Sequence, residues 1–173
     1  MIHGEKGFGL VEVVVATAIM AVLGLAFSMT IAQVIHGTTR SNNQVSTISQ
    51  VQNAGGWISR DARMATSLLT DNLTAPDFLI MSWTDEGSGD QYQVTYTFDD
   101  MPDSSLKKMQ RQLLVNGEPG NSTLIARYID PDPAATNCEF ADNTLTVTLT
   151  AVAGDGDKSR SETRVFKVTP RPN

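Results

Sequence analysis

After Lys6 the chain is apolar almost without interruption, and this run predicts a membrane-spanning helix. No residue from Val13 to Ile35 is charged. At 1.5 Å per residue these 23 positions form a helix about 34 Å long, enough to cross the hydrocarbon core of a bilayer. No proline precedes Pro76 to break it. Lys6 is the only Lys or Arg before the run, which favours a cytoplasmic N-terminus and places the rest of the chain outside the cytoplasm.

The polar segment that follows predicts that the helix continues with a single apolar face. Apolar residues recur there at helical spacing, at Val45, Ile48, Val51, Ile58, Ala62, Ala65 and Leu69. We therefore expect a helix from about Gly9 to Leu69, roughly 90 Å long. Its membrane half covers residues 8–36 and its amphipathic half residues 37–70. Gly55 and Gly56 weaken it locally and mark a kink, a close approach of a sheet or a frayed position.

Residues 71–173 predict a β-rich domain. Tyr92, Val94, Tyr96 and Phe98 alternate with polar residues, and so do Leu145, Val147, Leu149 and Ala151, as in half-buried strands. Further candidate strands are Phe78–Trp83, Lys108–Val115, Leu124–Ile129 and Thr163–Val168. Short connections predict an antiparallel sheet with one face packed on the outer half of the helix, hence an α+β fold.

One connection carries a hairpin signal. Asn116-Gly117 lies between two of the candidate strands, and this dipeptide favours a tight turn. Pro119 follows shortly after it and cannot donate to a sheet ladder, so we expect a loop longer than two residues.

Glu12 is the one charged residue near the start of the apolar run, and it needs an explanation. A conventional signal peptide is one alternative, but the small residues Ala16-Thr17-Ala18 fall in the middle of the run, where cleavage is not expected. A plain single-pass anchor is another. Neither accounts for Glu12, because an unpaired carboxylate at the edge of a membrane helix is costly and implies a partner.

The residues before Glu12 suggest that partner. Gly7-Phe8-Gly9-Leu10-Val11-Glu12 resembles the prepilin motif of type IV pilins and of the pseudopilins of type II secretion. The resemblance implies that a prepilin peptidase removes the leader, residues 1–7, and that the new N-terminus, Phe8, is methylated. It also implies that Glu12 offsets the α-amine of a neighbouring subunit's Phe8, and that the fold is the pilin lollipop.

A second segment is informative about which kind of pilin or pseudopilin the chain resembles. The stretch from Trp57 to Ala65 is similar to the late helix segment of J-type minor pseudopilins and PilW-type minor pilins, in which an Arg-Asp pair precedes another Arg. The alternative is that Arg60, Asp61 and Arg63 form the ordinary solvated face of an amphipathic helix. The chain has one cysteine, Cys138, which we expect to act as a small apolar residue of the β-domain. The absence of a cysteine pair departs from major type IV pilins and favours a minor pilin or a pseudopilin.

Composition excludes several other functions. With 13 basic and 19 acidic residues the net charge is −6, and no basic cluster fits nucleic acid as the main partner. The two histidines, His3 and His36, lie outside the β-domain, which therefore cannot build a Ser-His-Asp triad or a usual zinc site.

Acidic pairs remain as candidates for chemistry in the β-domain. They are Asp85-Glu86, Asp99-Asp100 and Asp155 with Asp157, which we interpret as solvated turn residues. Asp155 and Asp157 are also candidate calcium ligands, although the EF-hand spacing is not met. We expect no catalytic residues and no cofactor, with calcium as the alternative.

The sequence thus predicts a filament subunit rather than an enzyme. It would be a single-pass protein of the inner membrane, with sister pilin or pseudopilin subunits, a prepilin peptidase and the inner-membrane assembly machinery as partners. A minor pilin of a DNA-uptake or adhesive pilus is an alternative within the same class. The other alternative is a membrane-tethered extracytoplasmic binding or sensor domain that does not polymerise, and such a tether would not need Glu12.

The motif predicts the mature N-terminus. Intact-mass or N-terminal analysis of membrane-purified protein should show a chain that begins with methylated Phe8. Gly7→Leu should retain the leader, because a bulky side chain beside the scissile bond blocks the cut. An N-terminus at Met1, or one downstream of Ala26, would contradict the motif.

Overall fold

The structure is a computed structural model and describes residues 9–171. The predicted cleavage site, Gly7 and Phe8, therefore lies outside the described residues. The chain divides into two compact units, one ending at Ser41 and one beginning at Asn42. Helix α1, Leu10–Met64, is 55 residues long; its first part belongs to the first unit and its last part to the second.

In the first unit, α1 is apolar on all sides. Every large apolar side chain from Leu10 to Ile35 is between 48% and 82% exposed. Among the described helices α1 is the one long and apolar enough to cross a membrane. The hydroxyl groups in this stretch are internally satisfied: Ser28 and Thr30 donate to carbonyl groups four residues earlier, and Thr17 donates to one three residues earlier. The first unit therefore suits a lipid or protein environment rather than water.

The second unit combines the last turns of α1 with eight strands. The strands are β1 (Ser67–Leu69), β2 (Asp77–Thr84), β3 (Gln91–Met101), β4 (Ser104–Val115), β5 (Glu118–Ile129), β6 (Asn137–Ala141), β7 (Thr144–Ala153) and β8 (Arg160–Val168). They form one sheet in which every pairing is antiparallel. The predicted α+β class, with a long N-terminal helix and an antiparallel sheet packed on its later part, is confirmed.

Strands β1 to β5 pair in chain order, and β7 joins the rest of the sheet to them. At Ala151, β7 pairs with Ile129 of β5 on one edge and with Glu162 of β8 on the other. Because β8 follows its own edge of β7 along nearly the whole strand, β6 lies on the same edge as β5, at the start of β7. All six predicted strands are present, and β1 and β6 are additional strands that the alternation did not reveal.

The helix ends earlier than the apolar spacing predicted. It stops at Met64, and Ser67–Leu69 form β1 instead of a last helical turn. The N–H of Thr66 donates to the carbonyl of Ser82 at 2.9 Å, which starts the pairing of β1 with β2. The prediction was wrong here because backbone pairing at the sheet edge replaced the helical hydrogen bonds. Leu69, expected to be buried, is 49% exposed.

The buried face of α1 is built mainly from small residues. The buried helical positions are Thr47, Val51, Ala54, Gly55, Ile58, Asp61 and Ala62. They follow steps of three and four and pack against large apolar side chains of the sheet, among them Leu79, Met81, Val94, Met109, Ile129, Val147 and Leu149. The prediction that Val45 belongs to this face was wrong, since its side chain is 64% exposed.

The Asn116-Gly117 turn is tighter than predicted. Val115 pairs directly with Glu118, so the loop has two residues, and both have positive φ, 53° and 82°. This is the backbone of a primed hairpin turn, which Asn and Gly adopt readily. The expectation of a longer loop was wrong because Pro119 lies within β5, opposite Leu114, beside an irregularity in the ladder that accommodates the missing donor.

Gly55 marks a close approach of the sheet, one of the three explanations that the sequence left open. A Cβ atom at this position would overlap the ring of Phe166 in β8. At Gly56 the same addition would meet nothing within 4 Å. The two adjacent glycines therefore differ in their surroundings, although the sequence treats them alike.

This difference gives a matched pair of variants. Gly55→Ala should lower the free energy of unfolding by about 1–3 kcal/mol, because the new methyl group overpacks the contact with Phe166. Gly56→Ala should be neutral or stabilising by up to about 1 kcal/mol, since alanine has the better helix propensity. Urea unfolding of the full chain in detergent, followed by tryptophan fluorescence, measures both. Equal effects would refute the close approach.

Candidate functional site

Glu12 lies in the first turn of α1 with its carboxylate exposed. Its Oε2 accepts a hydrogen bond from the N–H of Gly9 at 3.0 Å. A negative charge here also complements the positive end of the helix dipole. No other side-chain hydrogen bond or ion pair joins Glu12 to a residue in the described part of the chain.

Among residues 9–171, no lysine or arginine of α1 lies close enough to neutralise Glu12. The next one along α1 is Arg40, which is 28 residues further on and about 42 Å away along the helix axis. In a low-dielectric setting a carboxylate without a counter-charge is strongly disfavoured. Within the part of the chain that the structure describes, Glu12 therefore has no charged partner.

The sequence around Glu12 also matches a known family. Residues 2–28 match the family model of the prokaryotic N-terminal methylation motif. The chain carries an N-terminal methylation motif. The match includes Gly7, Phe8 and Glu12, and it supports the resemblance to type IV pilins and pseudopilins that the sequence indicated. Neither the curated proteins nor the solved structures gave a match to this chain.

A second polar centre lies within the second unit, around the carboxylate of Asp61. Asp61 is 1% exposed in α1. Its Oδ2 accepts hydrogen bonds from Nε of Arg111 at 2.7 Å and from the hydroxyl of Tyr96 at 2.5 Å, and its Oδ1 accepts one from Nη2 of Arg111 at 3.1 Å. Because Tyr96 belongs to β3 and Arg111 to β4, these three bonds connect the helix to two central strands. We call these three residues the Asp61 centre.

Burial and charge act together on the groups of the Asp61 centre. Burial and the neighbouring carboxylate raise the pKa of Tyr96, so the phenol stays neutral and donates. Burial alone would lower the pKa of Arg111, but the hydrogen bond and charge of Asp61 outweigh it, and that pKa is raised. The guanidinium of Arg111 also lies 5.0 Å from the ring centroid of Trp57, where the ring face attracts a cation. The centre is thus a hydrogen-bonded ion pair, with a neutral phenol as third member, that connects α1 to β3 and β4.

The structure tests the interpretation of the Arg60-Asp61-Arg63 segment as a solvated helix face. Arg60 and Arg63 are exposed, as a solvated helix face requires, whereas Asp61 is buried and paired. The solvated-face interpretation was therefore wrong for Asp61. The sequence carries one signal for this burial. Ile58 follows Ala54 by four residues and Asp61 follows Ile58 by three, so the three side chains lie on the same face of the helix.

Two helix amides contact the backbone of β5. Asn53 Nδ2 donates to the carbonyl of Ile125 at 2.6 Å, and Oε1 of Gln50 accepts from the N–H of Arg127 at 2.7 Å. In this part of β5 the pairing with β4 is irregular, and Tyr128 has a positive φ of 61°. The two side chains take the place of a neighbouring strand and satisfy backbone groups of β5. Sequence analysis missed both residues, since amides on a helix surface carry no distinctive pattern.

The acidic candidates are not brought together into one site. Asp155 and Asp157 are exposed in the loop that contains the 3-10 turn Gly156–Lys158. Asp85 accepts backbone hydrogen bonds from Ser88 and Gly87, which lower its pKa, as in an ordinary turn. Among residues 9–171 no three His, Cys, Asp or Glu side chains are grouped so that they could hold a metal ion.

Cys138 behaves as a small, partly buried residue of the core. Its Sγ donates to the carbonyl of Phe78 at 3.2 Å, across from β6 to β2. Burial, with a smaller contribution from the charge of Asp71, raises the pKa of the thiol to about 12. The thiol therefore stays protonated at neutral pH and is a poor nucleophile.

The Asp61 centre predicts an ordered series of stabilities. Asp61→Asn should lower the free energy of unfolding by about 3–5 kcal/mol, because it leaves the Arg111 charge in place without its counter-ion. Tyr96→Phe removes one hydrogen bond and should cost about 1–2 kcal/mol. Urea unfolding of the full chain in detergent measures both, with the exposed Arg63→Met as the control, expected within about 0.5 kcal/mol of wild type. If Asp61→Asn unfolds like Arg63→Met, the buried pair contributes nothing.

Proposed function

We propose that this protein is a minor pilin or pseudopilin that is processed after Gly7 and built into a short filament through α1. The observation that carries the proposal is Glu12: a carboxylate within an N-terminal methylation motif, at the start of an apolar helix, with no lysine or arginine nearby among residues 9–171. A carboxylate in this position is tolerated when another chain supplies the positive charge.

Processing would supply that charge. Cleavage after Gly7 makes the nitrogen of Phe8 an α-amine, and methylation leaves it able to carry a proton. The neighbouring subunit's Phe8 amine would then meet Glu12 within a bundle of apolar helices. Lys6 cannot serve, because it leaves with the leader.

The apolar surface of the first unit supports the same proposal. Side chains that are exposed on every side of α1 would be covered first by lipid and then by the helices of sister subunits. We place α1 in the inner membrane, as the resemblance to pilins implies, and Lys6 before the apolar run favours an extracytoplasmic β-domain. A prepilin peptidase and an inner-membrane assembly machinery are the partners that this route requires. The second unit needs no catalytic residue for such a role.

The central test is Glu12→Ala. The variant should lose its leader and insert as wild type does, since removing a charge makes insertion easier. Its incorporation into filaments with sister subunits should fall by about tenfold or more, because a buried charge loses its partner. Cross-linking and a shear fraction measure co-assembly, and an immunoblot for the leader is run beside them.

Val11→Ala is the matched control, since it shortens a neighbouring side chain and leaves the charge. It should co-assemble nearly as wild type. Wild-type co-assembly of Glu12→Ala would instead favour the membrane-tethered binding or sensor domain, which does not polymerise.

A further inference from the structure

The first turn of α1 leaves amide groups that no helical carbonyl can satisfy. In a helix the first four N–H groups have no carbonyl partner four residues earlier in the helix. In water they would be solvated, but at the edge of a bilayer an unsatisfied amide is costly. The hydrogen bonds around Gly9 therefore decide how well this helix can begin in an apolar medium.

Both backbone groups of Gly9, its N–H and its carbonyl, are hydrogen-bonded to residues of the first turn. Its N–H donates to Oε2 of Glu12 at 3.0 Å. Its carbonyl accepts from the N–H of Glu12 at 3.0 Å and from that of Val13 at 3.4 Å. Since the helix begins at Leu10, Gly9 is the N-cap residue and Glu12 is the third helical residue. A glutamate at that third position, reaching back to the N-cap amide, is one half of a capping box.

We infer that Glu12 has a second role within its own chain: it caps the first turn of α1 through the N–H of Gly9. The cap uses Oε2 and holds the carboxylate in place at the start of the helix. Within the described residues Oε1 has no hydrogen-bond partner, so it stays available to a cation of another chain. This role does not depend on filament assembly, and it applies to the precursor as well as to the mature chain.

Three variants of Glu12 distinguish the effect of its side-chain length from the effect of its charge. Glu12→Gln keeps the length and an acceptor oxygen but removes the charge. Glu12→Asp keeps the charge but shortens the side chain by one methylene, so that it no longer reaches Gly9. Glu12→Ala removes both. If Glu12 acts only through its charge, Glu12→Asp should behave like the wild type. If Glu12 caps the helix, Glu12→Gln should behave like the wild type.

The experiment measures the Gly9 amide in the full chain, isotope-labelled, prepared without a prepilin peptidase and embedded in lipid bilayers. Hydrogen exchange at Gly9, followed by NMR at one pH, should be slow in the wild type and in Glu12→Gln. It should be roughly tenfold faster in Glu12→Ala and Glu12→Asp, since a lost hydrogen bond changes an equilibrium by about this factor. The Gly9 amide proton shift is the second readout and should move in the same two variants.

Two results would overturn the inference. One is the same exchange rate at Gly9 in the wild type and in Glu12→Ala. The other is protection retained in Glu12→Asp and lost in Glu12→Gln. If the Ala variant inserts poorly, the comparison of Gln with Asp decides. Co-assembly of the same variants stays a separate measurement: wild-type co-assembly of Glu12→Gln would contradict the charge pairing and leave the cap intact.

Discussion

An ionised carboxylate in a low-dielectric setting must be paired, and this constraint acts twice on the same helix. Asp61 meets it inside its own domain, where Arg111 and Tyr96 bond both of its oxygens. Glu12 finds only an uncharged amide, the N–H of Gly9, in the described part of its chain. One carboxylate is therefore paired within its own fold, and the other has no counter-charge among the described residues.

The packing of α1 on the sheet depends on small side chains. Ala54, Gly55 and Ala62 let the strands approach closely, and the ring of Phe166 lies where a side chain at Gly55 would otherwise be. The larger apolar volume comes from the sheet. Because the helix contributes small side chains, a methyl group added at Gly55 disturbs the contact with the sheet more than one added at the exposed Gly56.

Polar side chains complete this packing where the sheet is irregular. Gln50 and Asn53 bond the backbone of β5 in place of a strand, and Asn43 donates to the carbonyl of Lys158 at 3.0 Å. These bonds hold helix amides against β5 and against the loop before β8. Val45 faces solvent because it precedes the buried Val51 by six residues, which places it about 120° around the helix from that residue.

The sequence by itself determined the features that depend on local patterns. A run of 23 uncharged residues favours a membrane-spanning helix, and alternation from Tyr92 to Phe98 favours a strand with one buried face. The motif from Gly7 to Glu12 is contiguous in the chain. The tertiary structure decided what depends on residues far apart in the chain. The end of the helix at Met64 follows from the pairing of β1 with β2. The burial of Asp61 follows from two strands that bring a phenol and a guanidinium to it. Spacing along one segment cannot reveal such partners, because their free energy comes from contacts that exist only after the sheet has formed.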